Sequence, residues 1–515
     1  MTQIAPDGIA PDHDPTGTAA VPDAVPEPEK RRFASHDPRT GEVLGEYPVH
    51  GPEEVRAAVE RARQAAHWWA ELGFDGRRRR LDAWRRLVVS RLAEAAELIS
   101  AETGKPLDDA RLELVLVVDH LHWAARNAER VLRRRRVSSG LLMYDHTATV
   151  EYLPLGVVGV IGPWNYPAFT PMGSIAYALA AGNAVVFKPS ELTPGVGHWL
   201  ASTFAEVVPE QPVLSVVTGF GPTGAALCRA GVDKIAFTGS TETGKRVMAT
   251  CAETLTPVLV ECGGKDALIV AEDADLSAAA DAALWGAMAN AGQTCVGVER
   301  VYVVEQVADR FVELLTQRAR TLRVGADPAA DLGPMTMASQ VEVIRRHIED
   351  ALSRGARAVV GGPESIRPPF VEPVVLLDVP EDSCAVTEET FGPVIVINRV
   401  PDVDEAVRRA NSTAYGLGGA VFSRSRGAEL ARRMRSGMVS VNSVISFAAV
   451  PALPFGGVGA SGFGRIHGED GLREFARPQA VTRRRMRPLL QPMSFDRGAR
   501  TVRTLLRLVR AVYGR

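Results

Sequence analysis

Gly-Val-Val-Gly-Val-Ile-Gly-Pro-Trp-Asn-Tyr-Pro, residues 156–167, carries a short β-branched apolar run straight into a turn made by Gly162, Pro163 and Pro167. Six such residues bounded by turn formers read as a strand buried on both faces, the kind found in parallel sheets. Runs of the same texture follow at 184–187, 213–218 and 234–237, with helical stretches at 174–181, 194–207 and 241–254 between them. That alternation predicts a doubly wound α/β sheet. A second α/β unit begins near Cys262, with strands at 267–270, 301–304 and 394–397 and helices at 276–289 and 307–322. No fixed-period repeat links the two units. The longest apolar region, 156–186, is interrupted by Pro163, Asn165, Pro167 and Pro171, so no membrane-spanning helix is expected.

Upstream, Gly51-Pro52-Glu53-Glu54 reads as a helix start, and Val55, Val59, Ala62 and Ala66 recur on one face. A second helix is expected over 77–102, stopped by Gly104 and Pro106, and a third over 110–132. Arg77 to Arg80 open the second helix and read as its solvated face, not as a nucleic-acid patch. Residues 1–32, rich in Pro, Asp, Ala and Glu, read as a disordered arm. The 515 residues are 46% hydrophobic with a formal net charge of -2, which suits a large core and offers no global attraction to nucleic acid. Five cysteines without paired or metal-like spacing point to a reduced, cytoplasmic protein with no metal site.

Two glycine turns compete as phosphate sites. Gly219 to Gly224 fits G-x-G-x-x-G after a strand, but Pro222 sits inside it and no acidic ribose ligand follows at the usual place, so a plain strand-to-helix turn is the favoured reading. In Phe237 to Gly244, Gly239 allows a tight turn, and Ser240 and Thr241 stand at a helix start whose free N–H groups suit an anion. Read alone, that loop serves equally as a helix cap.

The order of the remaining motifs carries more. Gly162-Pro163-Trp164-Asn165-Tyr166-Pro167 is followed by Phe187-Lys188-Pro189-Ser190-Glu191, the Ser240 turn, Glu261-Cys262-Gly263-Gly264-Lys265 and Gly292-Gln293-Thr294-Cys295. Glu388 to Pro393 and Pro454-Phe455-Gly456-Gly457 close the series. Over roughly residues 35–482 the chain resembles the aldehyde dehydrogenase superfamily. The resemblance implies a dinucleotide-binding domain at 33–137 and 155–261 and a catalytic α/β domain at 262–474. It also implies a bridging element for oligomerisation at 138–154 and 475–492.

It further implies oxidation of an aldehyde to a carboxylic acid with reduction of NAD(P). Cys295 would be the nucleophile, forming a thiohemiacetal and then a thioester, since thiolate is both strongly nucleophilic and a good leaving group. Asn165 would donate to the oxyanion and Glu261 would act as base for hydrolysis. Trp164, Lys188, Glu191, Gly239, Ser240, Glu389 and Phe391 are the expected cofactor residues. Glu191 near the adenosine ribose favours NAD over NADP, with NADP tolerated by some relatives. Phe169, Met172, Phe447 and Phe455 are candidates for the substrate wall, which leans to a medium-chain or aromatic aldehyde. An acylating enzyme that uses coenzyme A and a non-catalytic structural member are the rivals. Glu261 argues against the first, and the joint presence of Asn165, Glu261, Cys295 and Glu389 argues against the second. A homo-oligomer, dimer or tetramer, is expected.

Beyond the resemblance, residues 493–515 form a basic amphipathic tail. From Arg483 onward there are ten arginines and one acidic residue, Asp496. Over 499–513, Val502, Leu505, Leu506, Val509, Val512 and Tyr513 share one helical face, with Arg500, Arg503, Arg507 and Arg510 mostly on the other. Such a helix either lies on an anionic membrane as a weak peripheral contact at the inner surface or docks on its own oligomer.

Overall fold

The computed structural model describes residues 32–514, apart from 328, 487–490 and 492, with the Leu141 side chain also outside the description. The expected N-terminal arm therefore lies outside the described residues except for Arg32, which opens a hairpin, Arg32–His36 against Val43–Pro48.

Four helices precede the first sheet: α1 (Pro52–Glu71), α2 (Gly73–Ser90), α3 (Leu92–Thr103) and α4 (Leu107–Leu132). α1 starts where the sequence says it should, with Pro52 in its first turn and the Glu54 carboxylate accepting the Gly51 N–H at 2.9 Å. The single helix expected over 77–102 is instead two. The Ser90 hydroxyl donates to the Leu87 carbonyl at 2.7 Å, competing with the helix ladder, and Arg91 turns out of helical geometry to grip Glu206 through two 2.7 Å bonds. Arg77 also departs from the solvated reading. It is buried and donates to the carbonyls of Ala70 and Ala180, and burial lowers its pKa to about 10. Arg78 and Arg80 do face solvent, beside Asp75 and Glu210.

The first sheet has six strands in the order Gly462–Phe463, Val258–Cys262, Lys234–Gly239, Val157–Ile161, Ala184–Lys188, Leu214–Val216. All pairs are parallel except the first. The chain starts at Val157–Ile161, winds outward on one side, then returns to the other through Lys234–Gly239. The crevice at that reversal, at the carboxyl ends of the strands, is where open α/β sheets hold ligands. The Gly162–Pro167 loop and Ser240 both leave from this edge. Helices α5 (Phe169–Ala181), α6 (Pro194–Val207), α7 (Gly221–Arg229) and α8 (Thr241–Ala252) connect the strands.

A second sheet of seven strands is built from residues 266–441, parallel except for its edge strand Arg357–Val360. Helix α9 (Leu276–Met288) packs on it and delivers the chain to Cys295. The division expected at 262–474 is crossed. Gly462–Phe463 pairs with the first sheet, and Phe455, Ile466, Leu472 and Phe475 join the core of the first unit. The cavity described below is enclosed partly by this returning segment.

A third, antiparallel sheet pairs His146–Pro154 with Ala476–Arg484 and Arg135–Val137. Its outer strand Ala476–Arg484 is largely exposed. The C-terminal helix spans Ala499–Tyr513 as expected, and none of its residues is buried. No helix among the described residues is long and apolar enough to cross a membrane.

Candidate active site

Helix α9 ends in an unusual turn. Asn290, Ala291 and Gly292 take successive φ values of 55°, 54° and 72°. At Gly292 a Cβ would stand 2.1 Å from the Gly392 carbonyl, so glycine is required there. Gln293 fixes the turn, donating to the carbonyls of Asn290 and Pro334 and accepting from the Thr336 N–H. Cys295 emerges from it partly exposed.

Opposite stands the loop that follows Val157–Ile161. The Asn165 side chain is buried, and its amide donates one N–H to the Gln293 carbonyl at 2.9 Å, leaving a second N–H. Its backbone carbonyl accepts from Lys105 Nζ at 2.8 Å and from Asn290 Nδ2 at 3.1 Å. Lys105 pairs with Glu113 at 2.7 Å, and both side chains are fully buried. Glu113 in turn accepts the N–H groups of Ala168 and Phe169, where α5 begins. Sequence reasoning missed this ion pair. The available signal was a carboxylate, Glu113, on the apolar face of α4.

Glu261 closes the strand Val258–Cys262 and is buried. Neither carboxylate oxygen has a hydrogen-bond partner of normal geometry among the described residues. Burial raises its pKa to about 7, opposed by the Cys295 thiol and the Thr238 side chain facing it. The Cys295 thiol is held well above the usual thiol range, first by desolvation and then by the Glu261 charge. Glu389 accepts the Gly264 N–H at 3.1 Å. It approaches so closely because residue 263 is glycine: a Cβ there would overlap its carboxylate, at 1.9 Å from Oε1. Burial, then Glu299, raises the Glu389 pKa to about 8.

Two clefts meet at Cys295, Glu261 and Thr170. The first runs along the edge of the first sheet, past Trp164, Gly239, Ser240, Lys245, Glu389 and Phe391. Ser240 caps α8, its Oγ accepting the Thr243 N–H at 3.3 Å, so the free end of that helix faces the cleft. Phe391, at φ 50°, meets Trp164 edge to face with centroids 5.6 Å apart. A polar, glycine-lined cleft at a topological switch point, ending on a helix N-terminus, fits a dinucleotide. Lys188 and Glu191 do not line this stretch. They lie further along the same edge, where the Lys188 side chain covers Gly224, and Glu191 Oε2 stands 3.9 Å from Lys188 Nζ.

The second cleft is apolar. Leu112, Leu116, Phe169, Trp285, Ile445 and Phe455 are among its lining residues. Phe169 and Phe455, two of the four residues read as candidates for the substrate wall, line this cleft. The reading of Met172 and Phe447 as wall residues is revised. Met172 is fully buried in α5, and Phe447 packs against Phe455 with centroids 6.2 Å apart, outside the lining. Among the described residues, no group of three or more His, Cys, Asp or Glu side chains is arranged to hold a metal.

Residues 25–481 match the model of the aldehyde dehydrogenase family. The chain is 38% identical to a 4,4'-diapolycopene aldehyde oxidase of Methylomonas, over 94% of this chain and 91% of that one. It superposes on an NAD-dependent aldehyde dehydrogenase from Sinorhizobium meliloti with a TM-score of 0.85 and 34% identity, covering 90% and 94% of the two chains. An NADP-dependent enzyme from E. coli gives a TM-score of 0.84 at 34% identity, over 88% and 94%.

Proposed function

This chain belongs to the aldehyde dehydrogenase family and is an NAD(P)-dependent enzyme that oxidises an aldehyde to a carboxylic acid through a cysteine-bound intermediate; from that premise we propose the residues and the second half-reaction. The meeting of two clefts at Cys295 and Glu261, one apolar and one shaped for a dinucleotide, carries the reading.

Cys295 Sγ attacks the aldehyde carbon as Glu261 takes the thiol proton, and the free Asn165 N–H with the Cys295 backbone N–H receives the oxyanion. The dinucleotide, when bound, supplies the hydride acceptor that turns this adduct into a thioester. Glu261 first gives up the thiol proton to solvent; the carboxylate then removes a proton from water as it attacks, and the sulfur leaves as thiolate and is reprotonated. A carboxyl titrating at about 7 is suited to both transfers near neutral pH. Glu389 and Lys188 would bind ribose hydroxyls, and the Glu191 carboxylate, next to Lys188, disfavours a 2'-phosphate, so NAD is the preferred cofactor.

No lysine or arginine lines the apolar cleft, whereas Asp109, Glu113 and Glu261 do. That lining favours an uncharged, largely apolar aldehyde over one bearing a carboxylate. The chain is read as a cytoplasmic homo-oligomer formed through the exposed edge strand Ala476–Arg484. The tail helix is read as a weak contact with anionic membrane, supported by its uncovered apolar side, where Val502, Leu506, Val512 and Tyr513 are each at least 40% exposed.

The test of the whole reading is NADH or NADPH production from an apolar aldehyde without coenzyme A. Cys295→Ala should abolish it while cofactor still binds. Near-normal turnover in that variant, or turnover that requires coenzyme A, would defeat the assignment.

A further inference from the structure

The apolar cleft holds an imidazole that the mechanism does not use. His467 lies at the start of the helix Gly468–Glu474, is 1% exposed, and lines the cleft alongside Phe169, Phe455 and Ile466. Neither of its ring nitrogens has a hydrogen-bond partner among the described residues. Its neighbours are rings: His120 at 4.0 Å between centroids, Phe455 at 5.4 Å, Phe169 at 5.6 Å and Tyr177 at 5.7 Å. Nε2 stands against Gly173 of α5, where a Cβ would come within 2.6 Å.

His120 does not relieve it. Among the described residues the acceptor at His120 is the Ala448 carbonyl, 3.0 Å from Nε2, so Nε2 carries the proton, and Nδ1 has no partner among them. Burial keeps both imidazoles neutral, lowering His120 to about 4 and holding His467 well below the usual imidazole range. The His467 backbone adds to the case. Its φ of 62° with ψ of 164° is a conformation that glycine adopts freely and a side chain rarely does. A space-filler at this position would be glycine or an apolar residue. An imidazole whose donor and acceptor are both unmet is costly in an apolar cavity unless a ligand meets them.

Resting on the reading of Cys295 and the apolar cleft given above, we propose that His467 is a second anchor for the substrate, binding a hydroxyl group on an otherwise apolar aldehyde. A hydroxyl supplies what a neutral imidazole lacks. Its oxygen accepts the ring N–H, or its O–H donates to the bare nitrogen, with no charge to desolvate. The enzyme is thereby a hydroxy-aldehyde dehydrogenase, with His467 setting specificity and Cys295 carrying out the reaction.

The experiment uses the full chain with NAD or NADP and pairs of aldehydes that differ only in one hydroxyl. These are straight-chain aldehydes of several lengths with and without a terminal hydroxyl, and aryl aldehydes with and without a ring hydroxyl. Within each pair the readout is the ratio of kcat/KM values, hydroxylated over plain. At least one pair should give a ratio above one in the native protein. In His467→Gly, which suits the backbone, that ratio should fall about 5- to 10-fold, the worth of a neutral hydrogen bond, and chiefly through KM. His467→Asn, which keeps a donor and an acceptor, should restore part of it, as should free imidazole added to His467→Gly. Ratios at or below one for every pair, with the plain aldehydes well oxidised, would overturn the proposal and leave the Cys295 reading standing. A fall that neither Asn nor imidazole restores would assign His467 a structural role instead. Failure to oxidise any member of the panel would remove the underlying reading and this one with it.

Discussion

Glu261→Gln should stabilise the protein at alkaline pH while disabling it. In the folded chain this buried carboxyl titrates at about 7, against an ordinary value of 4.5. Because the folded pKa is the higher one, the linked cost is absent below pH 4.5, where the group is protonated folded or unfolded. It grows as pH rises from 4.5 to 7 and is complete above 7, where the folded protein carries a buried carboxylate. The gap between 4.5 and about 7, at about 1.4 kcal/mol per pH unit, comes to roughly 3 kcal/mol. At an unfolding entropy of about 2.1 cal/mol/K per residue, a chain of this length loses about 1 °C of Tm per kcal/mol. Glutamine is nearly the same shape and never ionises. Scanning calorimetry of both proteins at pH 5 and pH 8 should show the variant's advantage widening by about 2–3 °C. Stopped-flow kinetics should show a burst of reduced cofactor followed by slow turnover in the variant. Native kcat should rise with pH through about 7. A Tm difference that does not change with pH, together with unimpaired thioester hydrolysis, would refute both the buried charge and the base.

Asn165→Ala removes the amide N–H aimed at the oxyanion and should lower kcat by about 100-fold or more, measured at saturating aldehyde with Tm little changed. Lys105→Met leaves the buried Glu113 carboxyl without its counter-charge. It should cost about 3 kcal/mol or more by denaturant unfolding, and Glu113→Leu in the same chain should not restore that stability in full because Ala168 and Phe169 lose their acceptor. The full chain should co-sediment with anionic phosphatidylserine vesicles at low salt and be released at high salt. A chain ending at Pro492 should not, and equal sedimentation of both would reject the membrane role, while loss of the oligomer on truncation would favour docking instead.

What could be read in the sequence was whatever lies close together along the chain. The strands at 157–161, 184–188 and 234–239 are built on the short apolar runs 157–161, 184–187 and 235–237, and the helix cap at Ser240 is local chemistry, so both were visible without tertiary contacts. Cys295 and Glu261 were singled out through ordered motifs whose glycines are close-approach points at Gly292 and Gly263. The residues that escaped act across long sequence separations. Lys105 and Asn165 are 60 residues apart, and His120 meets Ala448 across 328. Arg77 hides for the same reason, since nothing in a run of four arginines says which one will reach Ala180. The helix break at Arg91 depends on Glu206, 115 residues away.

The charge pattern around Cys295 constrains how the thiol can be activated. Glu261, Glu389 and Asp266 are raised by burial to about 7, 8 and 8, and each adds to the field that holds the thiol proton in place. Near neutral pH the site therefore stores protons more than it stores charge. A resting thiolate would face these carboxyls in a desolvated pocket, the condition that disfavours it most. Activation on the proposed mechanism is then a concerted event. Glu261 accepts the proton as sulfur bonds to carbon, so the negative charge passes to the aldehyde oxygen, where the Asn165 and Cys295 N–H groups await it. Burial outweighs the Cys295 and Thr238 side chains that face Glu261, and that balance gives it basicity near neutral pH; a carboxylate fully satisfied by fixed donors would have a depressed pKa and could not take up the proton.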